Sequence, residues 1–334
     1  MSEPRPVAVT GLSILTALGR GPETQLTGTP AFTEVSRFDT STRRVHHAAT
    51  AAETGTLEEE LDQAIATACA QAGVDRSTTP LLLALHTAPP RDFGQRRVYT
   101  SACVSASTAL ADAATLIRAG RVERIVVAAA YLVEPYQYAL FDAGRALSTD
   151  AAVRPFSRHR QGTLLGDGVA AVVLQPGEGL AELISWSRAG DAYHPCQPSP
   201  DGRGLAAAIQ AALAKAKLPS DEIGYVNANA TGTTFSDAAE AAAINAAFSS
   251  TPPVSSTKGL YGHALEASGL VEFVVTVQAL REGKLPVNAG FLEPDPACRL
   301  DLILDAPRPA GSPYGMSLNS AFGGANTALA VRVG

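Results

Sequence analysis

The feature that most constrains the fold is the alternation of short apolar runs with longer stretches of helical spacing along almost all of the 334 residues. Val7-Ala8-Val9-Thr10 reads as a short buried strand, and Leu57–Ala72 as a helix with Leu57, Leu61, Ile65 and Ala68 on one face. Pro80–Leu85 reads as a strand, Ser105–Ala119 as a helix, Arg124–Ala130 as a strand and Val169–Leu174 as its hairpin partner. The turn Pro176-Gly177-Glu178-Gly179 closes a first half, residues 1–178. The second half, residues 179–334, repeats the scheme less plainly. Leu205–Ala216 is helical, Gly224–Ala228 a strand, Asp237–Phe248 and Leu265–Glu282 helices, and Tyr314–Leu318 and Thr327–Val333 strands. Strands alternating with helices predict an α/β chain with a mostly parallel sheet covered by helices.

With 46% hydrophobic and 17% charged residues, the chain can bury a large core and fill two domain-sized halves. No apolar run approaches the roughly 20 residues needed to cross a bilayer, and Met1-Ser2-Glu3-Pro4-Arg5-Pro6 lacks the apolar core of a signal peptide. A cytoplasmic protein without a membrane partner is expected. A net charge of -6 argues against general nucleic-acid binding. Cys69, Cys103, Cys196 and Cys298 are far apart and lack the close Cys or His pairing of a zinc site, so they read as free thiols and no metal is expected.

Five segments carry chemistry. Thr100-Ser101-Ala102-Cys103-Val104-Ser105-Ala106 sets a cysteine between the strand-like Arg97–Thr100 and a helix start, where amides carrying about half a positive charge favour thiolate. Tyr225-Val226-Asn227-Ala228-Asn229-Ala230-Thr231-Gly232-Thr233 follows a strand. Lys258-Gly259-Leu260-Tyr261-Gly262-His263 precedes a long apolar helix. Leu165-Gly166-Asp167-Gly168 and Asn319-Ser320-Ala321-Phe322-Gly323-Gly324-Ala325-Asn326 complete the set. In this order, together with Val7–Leu12 and Arg154–Gly162, they resemble the β-ketoacyl synthases over nearly the whole chain.

The resemblance implies a thiolase-type fold, two similar halves in a five-layered αβαβα arrangement. It implies Cys103 as nucleophile and His263 as the second catalytic imidazole. It makes Lys258 the organising lysine, with Asp167 its supporting partner from the other half, in place of the family's glutamate. Thr231 and Thr233 are similar to the threonines that hold the phosphopantetheine arm. Phe322-Gly323-Gly324 is similar to a gating loop whose amide joins that of Cys103 in an oxyanion hole, one residue shorter than usual.

Asn229 stands where the family's Asn-Ala-His-Gly-Thr-Gly-Thr signature has its first histidine, and Ala230 replaces the next glycine. Asparagine can donate a hydrogen bond but cannot carry a proton, so decarboxylative condensation suffers more than acyl loading. Non-elongating synthase domains lack the same histidine. The expected function is therefore a ketosynthase-like acyltransferase of polyketide or related specialised metabolism. It takes an acyl group from an acyl carrier protein or coenzyme A thioester through Cys103 to a hydroxyl, amine or thiol. No cofactor is expected to be bound, since phosphopantetheine arrives with the substrate.

A condensing enzyme with a Cys-Asn-His set and a non-catalytic partner like a chain-length factor are the alternatives. A homodimer or a pairing with a related subunit is expected. The segment Thr87–Ala102 is short for the family, as is Phe38–Leu57, which implies a shallower, more open pocket. Its Arg91, Arg96 and Arg97 form a candidate docking cluster for an acidic carrier. His46, His47, His86 and His159 match no catalytic position and are assigned surface or packing roles, and His194 a structural one.

Overall fold

A computed structural model describes residues 5–26, 28–89 and 91–334; Met1–Pro4 and Pro90, both part of segments read above, lie outside the described residues. The first half contains β1 (Val7–Thr16), α1 (Leu57–Gln71), β2 (Leu81–Ala84), β3 (Gln95–Tyr99), α2 (Ser105–Arg118), β4 (Ile125–Tyr131), α3 (Pro135–Ala143) and β5 (Gly168–Pro176). The second contains β6 (Ala181–Gly190), α4 (Arg203–Ala216), β7 (Ile223–Asn227), α5 (Thr234–Ala247), β8 (Pro253–Ser255), α6 (Lys258–Tyr261), α7 (Ser268–Arg281), β9 (Asp301–Leu302), β10 (Tyr314–Ala321) and β11 (Ala325–Arg332).

The halves repeat one topology. In the first, β2 lies parallel to both β3 and β4, and β4, β5 and β1 then run antiparallel in turn. In the second, β7 lies parallel to both β8 and β10, and β10, β11 and β6 follow antiparallel, with β9 added outside β8. Among the described residues, the two sheets pair edge to edge where Ala8 and Val9 meet Glu182 and Ala181. Helix α1 packs on β1, β4 and β5; α2 and α7 pack on each other between the sheets; α4 covers β6 and β11 with α5 beside it. Five layers, αβαβα, result.

Composition explains the middle layer. Helix α7 is mostly apolar, and Ser268–Leu280 is buried throughout, as a helix enclosed by two sheets must be. Helix α2 offers Ala106, Ala109, Ala113 and Ala114 as buried faces, and these small side chains let the layers close up. At the tightest point a Cβ on Gly269 would sit 2.9 Å from the Ser107 amide, so glycine is required there. Each fully buried Leu, Val or Phe in such a layer contributes about 1.5–3 kcal/mol.

Three local readings change. Strand β1 continues to Thr16 because Gly11, which interrupts the apolar run, gives room for α1: a Cβ there would stand 2.0 Å from the Ala68 carbonyl oxygen. The stretch from Leu265 begins with a 3-10 turn, Leu265–Ala267, before α7 starts at Ser268. Strand β6 and helix α3 were not read from the sequence. In β6, Ser185 and Ser187 hold inward positions and erase the apolar alternation. In α3, Tyr136 and Leu140 point outward and hide the amphipathic pattern, while Glu134 caps the Tyr136 and Gln137 amides.

Candidate active site

Cys103 sits in a 3-10 turn, Ala102–Val104, between β3 and α2. Ala102 has φ 52°, a left-handed conformation that costs a non-glycine residue about 1 kcal/mol or more. The thiol of the next residue faces His263, whose Nε2 lies 3.1 Å from Sγ. His263 is anchored across the halves: its amide donates to the Leu164 carbonyl at 2.8 Å, and its carbonyl accepts from Gly166 at 3.0 Å. On the far side of the ring Nδ1 is 2.8 Å from Ser268 Oγ, which also accepts from the Ala264 amide at 3.0 Å. A hydroxyl oxygen can accept both bonds, so the tautomer with Nδ1–H leaves the Nε2 lone pair facing the thiol.

Burial, followed by the Lys258 charge, pulls the His263 imidazole well below its usual 6.5. Burial, followed by the Glu266 charge, pushes the Cys103 thiol up to about 12, although Lys258 opposes the shift. Both shifts favour the thiol and the neutral imidazole over the thiolate–imidazolium pair. Burial thus works against the thiolate that the helix start was expected to favour. Proton transfer to Nε2 must accompany attack. The acyl-loading rate is expected to show no step near 6.5 and to fall only well below it, where Nε2 becomes protonated. A single-turnover pH profile with its midpoint near 6.5 would show that this ring titrates as in water.

Lys258 is fully buried at the start of α6, but its partner is not Asp167. Its Nζ pairs with Glu272 Oε1 from α7 and donates to Asn229 Oδ1 at 3.3 Å. Glu272 Oε2 accepts from Asn319 Nδ2 at 2.5 Å. Asp167 has a different task. Its carboxylate receives Arg37 at 2.8 and 2.6 Å and the amides of Ala51 and Val133 at 2.8 and 2.7 Å, tying three loops of the first half. Glu272 was not singled out by the sequence, where the helical stretch Leu265–Glu282 carries Glu266, Glu272 and Glu282 alike.

Asn229 is positioned from both ends. Its amide N–H donates to Glu240 Oε1 at 2.8 Å, and Oδ1 is taken by Lys258, so Nδ2 is left as a donor for a ligand. Glu240, on α5, was not identified from the sequence; burial pushes its carboxyl up to about 8. Cys103, His263, Asn229, Thr231, Thr233 and Phe322 all line one cavity of about 380 Å³. Thr231 and Thr233 face each other, with 3.2 Å between hydroxyls. Phe322 is exposed and stacks on Phe141 of α3, with 6.4 Å between centroids. In the turn that follows, the Gly323 amide is committed to the Pro195 carbonyl and that of Gly324 to Ala321, which narrows an oxyanion role to the Phe322 amide. Phe235, Leu205 and Arg145 complete the rim.

The remaining cysteines stand apart from this geometry. Cys69 and Cys298 are buried with thiols raised by burial, and Cys196 is exposed at the rim. His194 Nδ1 accepts from the Cys196 and Gln197 amides, a loop-bracing role. Of the Arg91, Arg96 and Arg97 cluster, Arg96 is exposed and without an ion pair among the described residues. Arg91 pairs with Asp62 and Arg97 with Asp112 at 3.7 Å, and none of the three lines the cavity.

Two family models cover the chain in succession: the beta-ketoacyl synthase N-terminal domain over residues 94–179 and the C-terminal domain over residues 180–292. Nodulation protein E of Rhizobium leguminosarum bv. trifolii is 38% identical over 249 residues, 70% of this chain and 60% of that protein. The tetracenomycin polyketide synthase ketoacyl synthase alpha subunit of Streptomyces glaucescens is 34% identical over 252 residues, 70% of this chain and 59% of that one. The alignment thus spans about 60% of the length of such relatives. The solved ishigamide ketosynthase/chain length factor superposes with a TM-score of 0.91 at 23% identity, covering 99% of this chain and 100% of that one. The repeated halves, the thiol beside the imidazole and these matches converge: the chain belongs to the β-ketoacyl synthase family.

Proposed function

We propose that the protein is an acyltransferase that loads an acyl group from a carrier-protein or coenzyme A thioester onto Cys103 and delivers it to a hydroxyl, amine or thiol without elongating it. The observation that carries this reading is the thiol–imidazole contact of 3.1 Å beside an asparagine. Sγ attacks the thioester carbonyl while Nε2 takes its proton. The new C–S bond forms, the donor C–S bond breaks, and the imidazolium protonates the departing thiol. The acceptor then repeats the cycle in reverse, giving its proton to Nε2 as Cys103 departs with one. Asn229 Nδ2 can hold a carbonyl oxygen, but nothing at that position shuttles a proton to or from an enolate. Polyketide or related specialised metabolism is the setting that the named relatives support.

A condensing reaction is the second reading. Glu240 supports it, because burial raises its carboxyl to about 8, toward the protonated form, where it accepts from the Asn229 amide. A chain-length-factor-like role is less well supported, since the thiol, imidazole and lysine are assembled as a working set. A second copy or a related subunit is the proposed partner, and β3, the outermost strand of its sheet, presents an unpaired edge to it.

Intact mass spectrometry after incubation with acyl thioesters tests the reading directly: a stable adduct of acyl mass, followed by its loss on addition of an acceptor, is expected. No adduct from any donor would reject it. The rim cation Arg145, exposed and without an ion pair among the described residues, is placed to meet an acidic carrier. Arg145→Glu is expected to slow carrier-dependent loading about tenfold more than loading from a small thioester mimic. Equal slowing of both donors would remove Arg145 from docking.

A further inference from the structure

Next to the turn of Cys103 lies a second polar cluster that the reaction above does not use. Glu266, in the 3-10 turn that follows His263, packs against the turn of Cys103 and is 6% exposed. Its Oε1 pairs with His86 Nδ1 at 2.8 Å. Its Oε2 is buried without a hydrogen-bond partner in the protein. The Tyr131 hydroxyl at the end of β4, 3% exposed, is likewise unpartnered. The turn that carries Glu266 packs against β4, the strand that ends at Tyr131. Tyr131 and the half-exposed His86 line a cavity of about 320 Å³ with Leu57, Leu85, Leu132 and Glu134. His86 therefore does more than occupy a surface position: it links this cavity to the carboxylate beside the thiol.

A buried acceptor and a buried donor left open cost about 1–3 kcal/mol each. A hydroxyl group satisfies both at once, donating to Glu266 and accepting from Tyr131. An ammonium group would leave the phenol proton without an acceptor, and a methyl group would leave both atoms open. We propose that Glu266, Tyr131 and His86 form a specificity subsite that selects acyl groups bearing a hydroxyl substituent. The apolar wall from Leu57, Leu85 and Leu132 takes the rest of the chain. This rests on acyl loading of Cys103 as proposed above.

The test compares loading of matched short-chain thioester mimics, saturated, hydroxylated at successive positions, and aminated. Wild type is expected to load one hydroxylated mimic at least about tenfold faster than its saturated partner. Glu266→Leu and Tyr131→Phe should erase the preference while saturated loading persists, and Glu266→Gln, which keeps an acceptor, should retain part of it. Equal loading of hydroxylated and saturated mimics, as ordered water in the cluster would give, overturns the proposal. So does a preference for the aminated mimic, or one that survives both Glu266→Gln and Tyr131→Phe. Calorimetry with the corresponding non-reactive amides separates this subsite from the chemistry. If no thioester loads yet the hydroxylated amide binds about tenfold tighter, and Tyr131→Phe abolishes that margin, the transfer reaction fails and the subsite stands. If the amides bind alike, the subsite fails.

Discussion

Cys103→Ala is expected to abolish acyl loading, a loss on the order of 10⁶-fold when a nucleophile is removed from an intact site. The other three thiols are controls of graded severity. Cys69 and Cys298 are buried in the two cores, so their alanine variants test the effect of lost packing without lost chemistry. Cys196 is the strictest control because it is exposed and shares the cavity rim. It is not within reach of His263 Nε2, whose sulfur partner is Cys103. Each of these three variants should load within a few-fold of wild type. Adduct formation undiminished in Cys103→Ala would reject the mechanism and favour the partner-subunit reading.

Wild type should load acyl groups yet release carbon dioxide from malonyl-carrier protein slowly, about 10²- to 10⁴-fold below an enzyme with a proton-carrying group at position 229. The asparagine loses the proton but keeps a donor, because Lys258 holds Oδ1 and thereby orients Nδ2. In Asn229→His, the ring would stand beside the Lys258 ammonium, which disfavours imidazolium and leaves a neutral donor. Partial recovery of carbon dioxide release is expected, with loading unchanged within a few-fold. Efficient formation of a β-ketoacyl product by wild type would overturn the acyltransferase reading and promote Glu240 as its acid.

What the sequence showed and what it hid differ for physical reasons. Cys103, His263, Asn229, Thr231, Thr233 and Phe322 were legible because each sits in a short motif at the end of a strand or the start of a helix, and the structure gathers all six on one cavity. Helices α1, α2 and α4 were legible from apolar spacing, since one face of each is buried. The partner of Lys258 was not, because nothing in the sequence marks Glu272 over Asp167 and only the fold brings one of them to the ammonium. Glu240 was hidden for the same reason. Its spacing from Asn229 says nothing until α5 turns back over the strand end. The arginine cluster is altered by the fold rather than by its sequence: Arg91 and Arg97 are paired with carboxylates from α1 and α2, and only Arg96 stays without an ion pair among the described residues.

The repeat of the two halves bears on where the chemistry resides. Helices α2 and α7 hold equivalent places, and each is entered through a 3-10 turn with a left-handed non-glycine residue, Ala102 at φ 52° and Leu265 at φ 44°. The thiol stands at one entrance and the imidazole at the other. A single structural device is thus used twice with different cargo, and neither half alone contains a reactive pair. Reactivity is a property of the seam: whatever alters the approach of the two inner helices, as a side chain at Gly269 pressing on Ser107 would, changes the sulfur-to-nitrogen distance without touching either atom.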